Sequence, residues 1–191
     1  MANAPELATT LDEYLQFEDA SLRRHEFFGG RIHQTADITM RHNRISGNVM
    51  LALGDHFEGT PCQVFVSGVK LHVQATDSVY YPDVFVYCGS AIANGEKLVD
   101  DALLVVEVAS ESSVSPPLKS SQRREKRMAY QKLPGLRAHW IVSQTERLVE
   151  IQTRDADGRW TISEFSADDS VSLDGVIVAS LGRIYSGTDI A

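Results

Sequence analysis

Leu103-Leu104-Val105-Val106-Glu107-Val108 is the stretch on which the fold turns, an apolar run with a single carboxylate set into it. A run of this kind reads as a strand buried on both faces of a sheet. An ionised glutamate in such a strand costs several kcal/mol unless a cation meets it, so Glu107 marks a candidate site. Upstream, Tyr81-Pro82-Asp83 opens the strand Val84-Phe85-Val86-Tyr87 and puts a second acid at a strand mouth. Downstream, Lys126 lies on the next predicted helix. Two acids on neighbouring strands, with a lysine from a following helix, are the minimal equipment for holding a divalent metal beside a phosphate.

Working outward, Leu7, Leu11, Tyr14, Leu15 and Glu18 carry helical spacing over residues 7–19, with an acidic first turn at Asp12-Glu13. The segment 24–33 reads as two short strands around Gly29-Gly30, which places Glu26 on the first and makes it a third candidate acid. Ile45, Val49, Leu53 and Phe57 recur every four residues and predict a long helix over 39–57, with His42 in its first turn. Period-two patterning returns between Gln63 and Tyr87 and predicts a pair of strands, the second containing Asp83. Residues 89–101 read as a connecting loop, and a helix is expected from about Lys119 to Leu133. His139-Trp140-Ile141-Val142 and Leu148–Gln152 predict a hairpin, followed by a strand over Trp160–Phe165. For the tail from Val171 to Ile184, a short strand and a turn of helix are expected.

The chain has 191 residues, 43% of them hydrophobic, which suffices for one well-buried core and predicts one domain. A net charge of −8 argues against broad electrostatic attachment to nucleic acid or to an anionic membrane. It leaves a nuclease open, since a carboxylate metal site is acidic until its ion arrives. The two cysteines, Cys62 and Cys88, form no C-x-x-C pair, so neither a zinc ribbon nor a disulfide framework is expected, and a reducing cytoplasm fits. No segment has the length and apolarity of a membrane span, so no membrane partner is expected and the predicted location is cytoplasmic.

Each candidate has a plainer alternative. Asp83 beside proline also suits turn capping. Glu107 could instead be a partly exposed edge-strand acid, or pair with an arginine of the 123–127 segment. Gln122, Lys126 and Tyr130 share one helix face, which fits either a side turned to the strand mouths or a solvated basic face. Histidines at metal-site spacing, a G-x-S-x-G elbow and a phosphate-cradling glycine loop are all missing from the sequence. Asp155-Ala156-Asp157-Gly158 begins like a calcium loop but returns at once to a strand, as a hairpin turn does.

Taken together, Glu26, His42, Tyr81-Pro82-Asp83, Glu107-Val108-Ala109-Ser110, Lys126 with Tyr130, and His139-Trp140-Ile141-Val142 resemble the Uma-type restriction endonuclease family of the PD-(D/E)XK nuclease-like superfamily. The resemblance spans roughly residues 11–165 and leaves 166–191 as a C-terminal extension of the same domain. It implies an α/β fold, a restriction endonuclease-like core with a central mixed β-sheet flanked by helices. It further implies Mg²⁺, with Mn²⁺ as a substitute, held by Asp83, Glu107, the Val108 carbonyl and Glu26. Asp83, Glu107 and Lys126 are then the catalytic set. The lysine usual two residues after the second acid is replaced here by Ala109 and displaced to Lys126. His42, Gln122 and Tyr130 are implied as substrate-contacting or supporting residues.

The implied partner is nucleic acid, most simply DNA, cut by hydrolysis of its phosphodiester bonds, and a homodimer would present two sites to a duplex. Gln122 and Ser143 stand where the family usually has aspartates. Gln122, with the acidic balance of the chain, favours the rival reading, a nuclease-fold binding or accessory protein without turnover. Hydrolysis of a smaller phosphate ester is a third.

Overall fold

The computed structural model describes residues 9–109 and 117–190, the side chains of 117–122 excepted. The first helix, α1 (Leu11–Ala20), opens on a capping box in which the Thr10 hydroxyl accepts from the Glu13 N–H and the Glu13 carboxylate accepts from the Thr10 N–H at 2.8 Å. The strands β1 (His25–Phe28) and β2 (Arg31–Gln34) follow, joined by Gly29 and Gly30. These glycines take φ of 58° and 68°, the left-handed values a two-residue hairpin loop needs at both positions. α2 (Met40–His56) is capped by the Thr39 hydroxyl, which accepts from the His42 N–H at 3.1 Å.

Four strands then occupy the stretch where the sequence predicts two: β3 (Gln63–Val66), β4 (Lys70–Val73), β5 (Ser78–Tyr80) after a 3-10 turn at Gln74–Thr76, and β6 (Val84–Tyr87). They belong to different sheets, which period two within each segment does not reveal. The predicted loop 89–101 contains β7 (Leu98–Val99), a two-residue strand too short to carry a pattern. β8 (Leu104–Ala109) is the diagnostic strand, and α3 (Pro117–Tyr130) follows. The chain closes with β9 (Ala138–Ser143), β10 (Leu148–Arg154), β11 (Trp160–Ser166), the hairpin β12 (Ser170–Leu173) and β13 (Val176–Ser180), and the single turn α4 (Leu181–Ile184).

The larger sheet is mixed, in the order β11-β10-β9-β8-β6-β3, with β8 and β9 parallel and every other pair antiparallel. A five-stranded sheet runs β2-β1-β5-β4-β7. Strand β8 is covered on both sides. Leu104, Val106 and Val108 join a core with α2, β13 and α4, while Val105 joins Phe85, Leu133 and Leu136 and the five-stranded sheet's Phe28, Leu71 and Tyr80. Alternation through the pleat puts Glu107 on the Val105 side, at the upper edge of that second core. A third cluster, Tyr14, Phe27, Ile32 and Val79, fixes α1 on the other face of the five-stranded sheet. The tail is integral to the first core through Val171, Leu173, Val178, Leu181, Ile184 and Tyr185.

The cysteine expectation is corrected. Cys62 and Cys88 form a disulfide, with Cα atoms 4.0 Å apart. Gln63 pairs with Tyr87 across β3 and β6, so the residues just outside that pair are carried into contact. A spacing of 26 residues gives no hint of this, because the pairing is made by strand register and not by a local motif. Among the described residues no helix is long and apolar enough to cross a membrane.

Candidate active site

Three carboxylates converge from three strands. β8 delivers Glu107. The loop before β6 delivers Asp83 to the same sheet edge, because Val84 pairs with Val106. β1 delivers Glu26 on the face of Phe28, two residues away along the pleat. Helix α3 then lays Lys126 between two of them, its Nζ 2.7 Å from Glu26 Oε1 and 3.0 Å from Glu107 Oε1. The Tyr130 hydroxyl, one helical turn on, donates to the same Glu107 oxygen at 2.8 Å. Lys126 and Tyr130 therefore turn towards the strand mouths and not to a solvated face, and the charge of Glu107 also acts on Arg123, one turn before Lys126 on α3.

Asp83 is held differently. Its Oδ2 accepts from the Val108 N–H at 2.7 Å and lies 3.2 Å from His42 Nε2. It is thus tied to β8 by the backbone and to α2 by an imidazole. Val108 donates its N–H to Asp83, and its backbone also hydrogen-bonds His42. His42 reaches the acid from the first turn of α2, a position fixed by the Thr39 cap. Gln122 lies outside the described side chains. Ser143 caps the turn after β9, its hydroxyl accepting from the Thr145 N–H at 3.2 Å and the Glu146 N–H at 3.3 Å.

The electrostatics follow from partial burial, with 22% of the Glu107 side chain exposed and 19% of that of Lys126. Burial pushes the Glu107 carboxyl up to about 7; Lys126 pulls against it, and Asp83 and Glu26 add to the rise. Burial acts to lower the Lys126 ammonium, but Glu107 and Glu26 outweigh it and hold it well above its ordinary value, so the lysine stays charged. Burial likewise pulls His42 down, and the Asp83 hydrogen bond and charge, with Glu107, more than reverse this.

Some contacts of the site carry no usable signal in the sequence. The Tyr81 N–H donates to Glu26 Oε1 at 3.1 Å and its hydroxyl to Glu18 Oε1 at 2.9 Å, so one residue ties the cleft to α1. Glu18 is itself buried against His25, 3.0 Å from its Nδ1. His139 is buried beneath the cleft with its ring edge-on to Tyr130. Burial pulls its imidazole down to about 3, helped by the charges of Lys126 and Arg127. An i, i+4 or strand-period reading cannot pair residues brought together across sheets.

All three acids, Lys126, His42 and His139 line one open cleft of about 1070 Å³. Among the described residues no three His, Cys, Asp or Glu side chains close into a ready-made ion cage. The acids instead stand as pairs around other groups. Their chemistry suits a hard divalent ion: all donors are carboxylate oxygens, and Lys126 with His42 offsets the three acids only in part, leaving an imbalance at a position where Glu107 resists ionising. A cation of higher charge relieves that imbalance, so the donor set fits Mg²⁺ or Mn²⁺.

A mixed α/β fold with paired acids at adjacent strand mouths and a helical lysine defines a nuclease-like scaffold. The sequence matches the Uma2 family, described as "Putative restriction endonuclease", over residues 11–181, and the chain belongs to that family. It is 28% identical over 186 residues to the "Uncharacterized protein slr1290" of Synechocystis sp. (strain ATCC 27184 / PCC 6803 / Kazusa), covering 97% of this chain and 95% of that one. The "Uncharacterized protein sll1609" of the same strain is 26% identical over 163 residues, covering 84% and 89%. The crystal structure of a "putative nuclease belonging to DUF820" from Anabaena variabilis ATCC 29413 superposes with a TM-score of 0.74 over 93% of this chain and 97% of that one. At 16% identity that likeness establishes the fold.

Proposed function

We propose that this protein is a metal-dependent endonuclease that hydrolyses phosphodiester bonds, with DNA as substrate. The observation that carries the reading is Lys126, charged and bridging Glu26 and Glu107 at 2.7 and 3.0 Å on the floor of an open cleft. Asp83 and Glu107 would hold the ion, with Glu26 and the Val108 carbonyl supporting. Bound Mg²⁺ or Mn²⁺ supplies Lewis acidity, acidifying water and offsetting phosphate charge. Lys126 contributes a compact positive charge against the developing charge of the transition state. Tyr130 fixes the Glu107 carboxylate, and His42 with the Val108 N–H fixes that of Asp83. A two-fold pair of chains would offer one such site to each strand of a duplex.

The second reading is a nuclease-fold binding protein without turnover. One observation favours it: the Lys126 ammonium already stands between Glu26 and Glu107 and partly neutralises both. Cleavage of supercoiled plasmid and single-stranded DNA in Mg²⁺, Mn²⁺ or EDTA, beside a Glu107→Gln control of matched fold, separates the two. Metal-dependent cutting abolished in the control is expected. Absence of cutting under every condition favours the binding protein, and cutting that survives Glu107→Gln removes Glu107 from the site.

A further inference from the structure

The cleft mouth has a character its floor lacks. Around the acidic floor, Arg23, Arg24, Arg123, Arg124 and Arg127 line the cleft against the two acids Asp37 and Glu150. Exposed apolar side chains line that mouth at Leu22 and Ile38, and Met40 follows the lining residue Thr39 in the chain. Leu22, in the loop from α1 to β1, lines the cleft at 104% exposure, and Met40, beside the cleft-lining Thr39, is 92% exposed. These are the two most exposed large apolar side chains among the described residues, and Ile38 at 54% lines the cleft beside them. Leu22 is followed directly by two arginines and Met40 by Arg41. No core of this fold employs either side chain.

Arginines matched to phosphate charge and interleaved with apolar groups that can lie on base faces fit a strand whose bases are not stacked in a duplex. In a paired helix those faces are hidden, and an apolar side chain reaches them only by unstacking a step, at a cost of a few kcal/mol. An unpaired strand exposes them at no such cost. We infer that the cleft mouth selects DNA with unpaired bases, Leu22 and Met40 contacting base faces while Arg23 and its neighbours hold phosphates. This inference rests on the nucleic-acid reading above and adds which form of substrate enters.

The test is binding, measured by fluorescence anisotropy in EDTA so that turnover plays no part. One labelled sequence is presented as a single strand, as a perfect duplex, and as a duplex with a central unpaired bulge, each over a salt series. The unpaired forms should bind about tenfold more tightly than the duplex, the scale set by burying a large apolar side chain. The double variant Leu22→Ser/Met40→Ser should bring that ratio close to one with the salt dependence unchanged, and both positions are exposed enough to leave the fold intact. Arg23→Ala should weaken all three probes and lower the salt slope by about one.

Equal binding of duplex and single strand by the wild type, or a preference that survives the double variant, overturns the inference. So does binding of anionic vesicles in place of all three probes. Plasmid cutting together with equal binding sinks this inference and leaves the nuclease reading intact; selective binding without cutting in any metal does the reverse.

Discussion

Replacing Lys126 by methionine keeps the apolar stem and removes the ammonium, leaving Glu26 and Glu107 facing each other without their shared cation. Removing one partner of a buried ion pair costs about 3–5 kcal/mol. The side chains here keep 16–22% of their exposure, so water screens part of the repulsion and about 3 kcal/mol is expected at pH 8. The cost must depend on pH. Glu107 already sits at about 7, above its ordinary 4.5, and loss of the ammonium raises it further. A carboxyl raised on folding contributes stability that is full below its unfolded value and lost as pH rises through its folded value. At pH 6 the variant's Glu107 takes up a proton and the penalty is smallest, and it grows as pH rises through 8 towards and past the variant's raised folded value. Urea unfolding in EDTA at the two pH values, followed through buried Trp140, measures this directly. Mg²⁺ should then stabilise the variant more than the wild type, because the ion fills the place of the missing charge. A variant within about 0.5 kcal/mol of wild type at pH 8 would refute the bridging role of Lys126.

Two further predictions concern stability. His139 has its imidazole lowered from 6.5 to about 3, so its contribution is complete above 6.5 and is lost as pH falls towards 3, at up to about 1.4 kcal/mol per pH unit. His139→Phe should therefore flatten the acid limb of stability against pH between 6.5 and 4.5, and parallel limbs for the two proteins would dismiss the idea. The Cys62–Cys88 disulfide closes a 26-residue separation, and reduction should cost about 3 kcal/mol. Alkylation of the unreduced, denatured protein followed by intact-mass measurement should show no modified thiol, and two modified thiols would contradict the bond.

What the sequence discloses depends on the range of the interaction that fixes each feature. The first hairpin, α2 and the β9–β10 hairpin are set by local rules: a Gly-Gly turn, a capping threonine with a four-residue apolar stripe, and strict alternation. Each is legible. The unbroken apolar run of β8 also speaks for itself, because covering both faces leaves no polar alternation and makes Glu107 conspicuous. Glu26 and Lys126 are different. They lie one hundred residues apart and meet only because α3 packs against both sheets, so residue patterns alone also allow Lys126 a solvated face, which the family resemblance argues against. The contacts of Tyr81 with Glu18 and of Glu18 with His25 carry no local signal for the same reason, and neither does the disulfide, which depends on β3–β6 register.

The net charge of −8 and the proposed binding of nucleic acid in the cleft are reconciled by how charge is arranged. A uniformly acidic surface repels a polyanion, but screening confines that repulsion to about 10 Å at moderate salt, so what a phosphate meets at contact is the local field. Here the local field is graded. Arginines stand at the mouth, a buried ammonium lies between two carboxylates below them, and Asp83 is neutralised in part by His42 beside it. A strand drawn to the arginines approaches a floor whose negative charge is incompletely compensated, where a divalent ion is favoured and a second phosphate is not. Burial is the first reason Glu107 resists ionising, and the neighbouring Asp83 and Glu26 add to it against the pull of Lys126, so a cation above the floor lowers the cost of its charge.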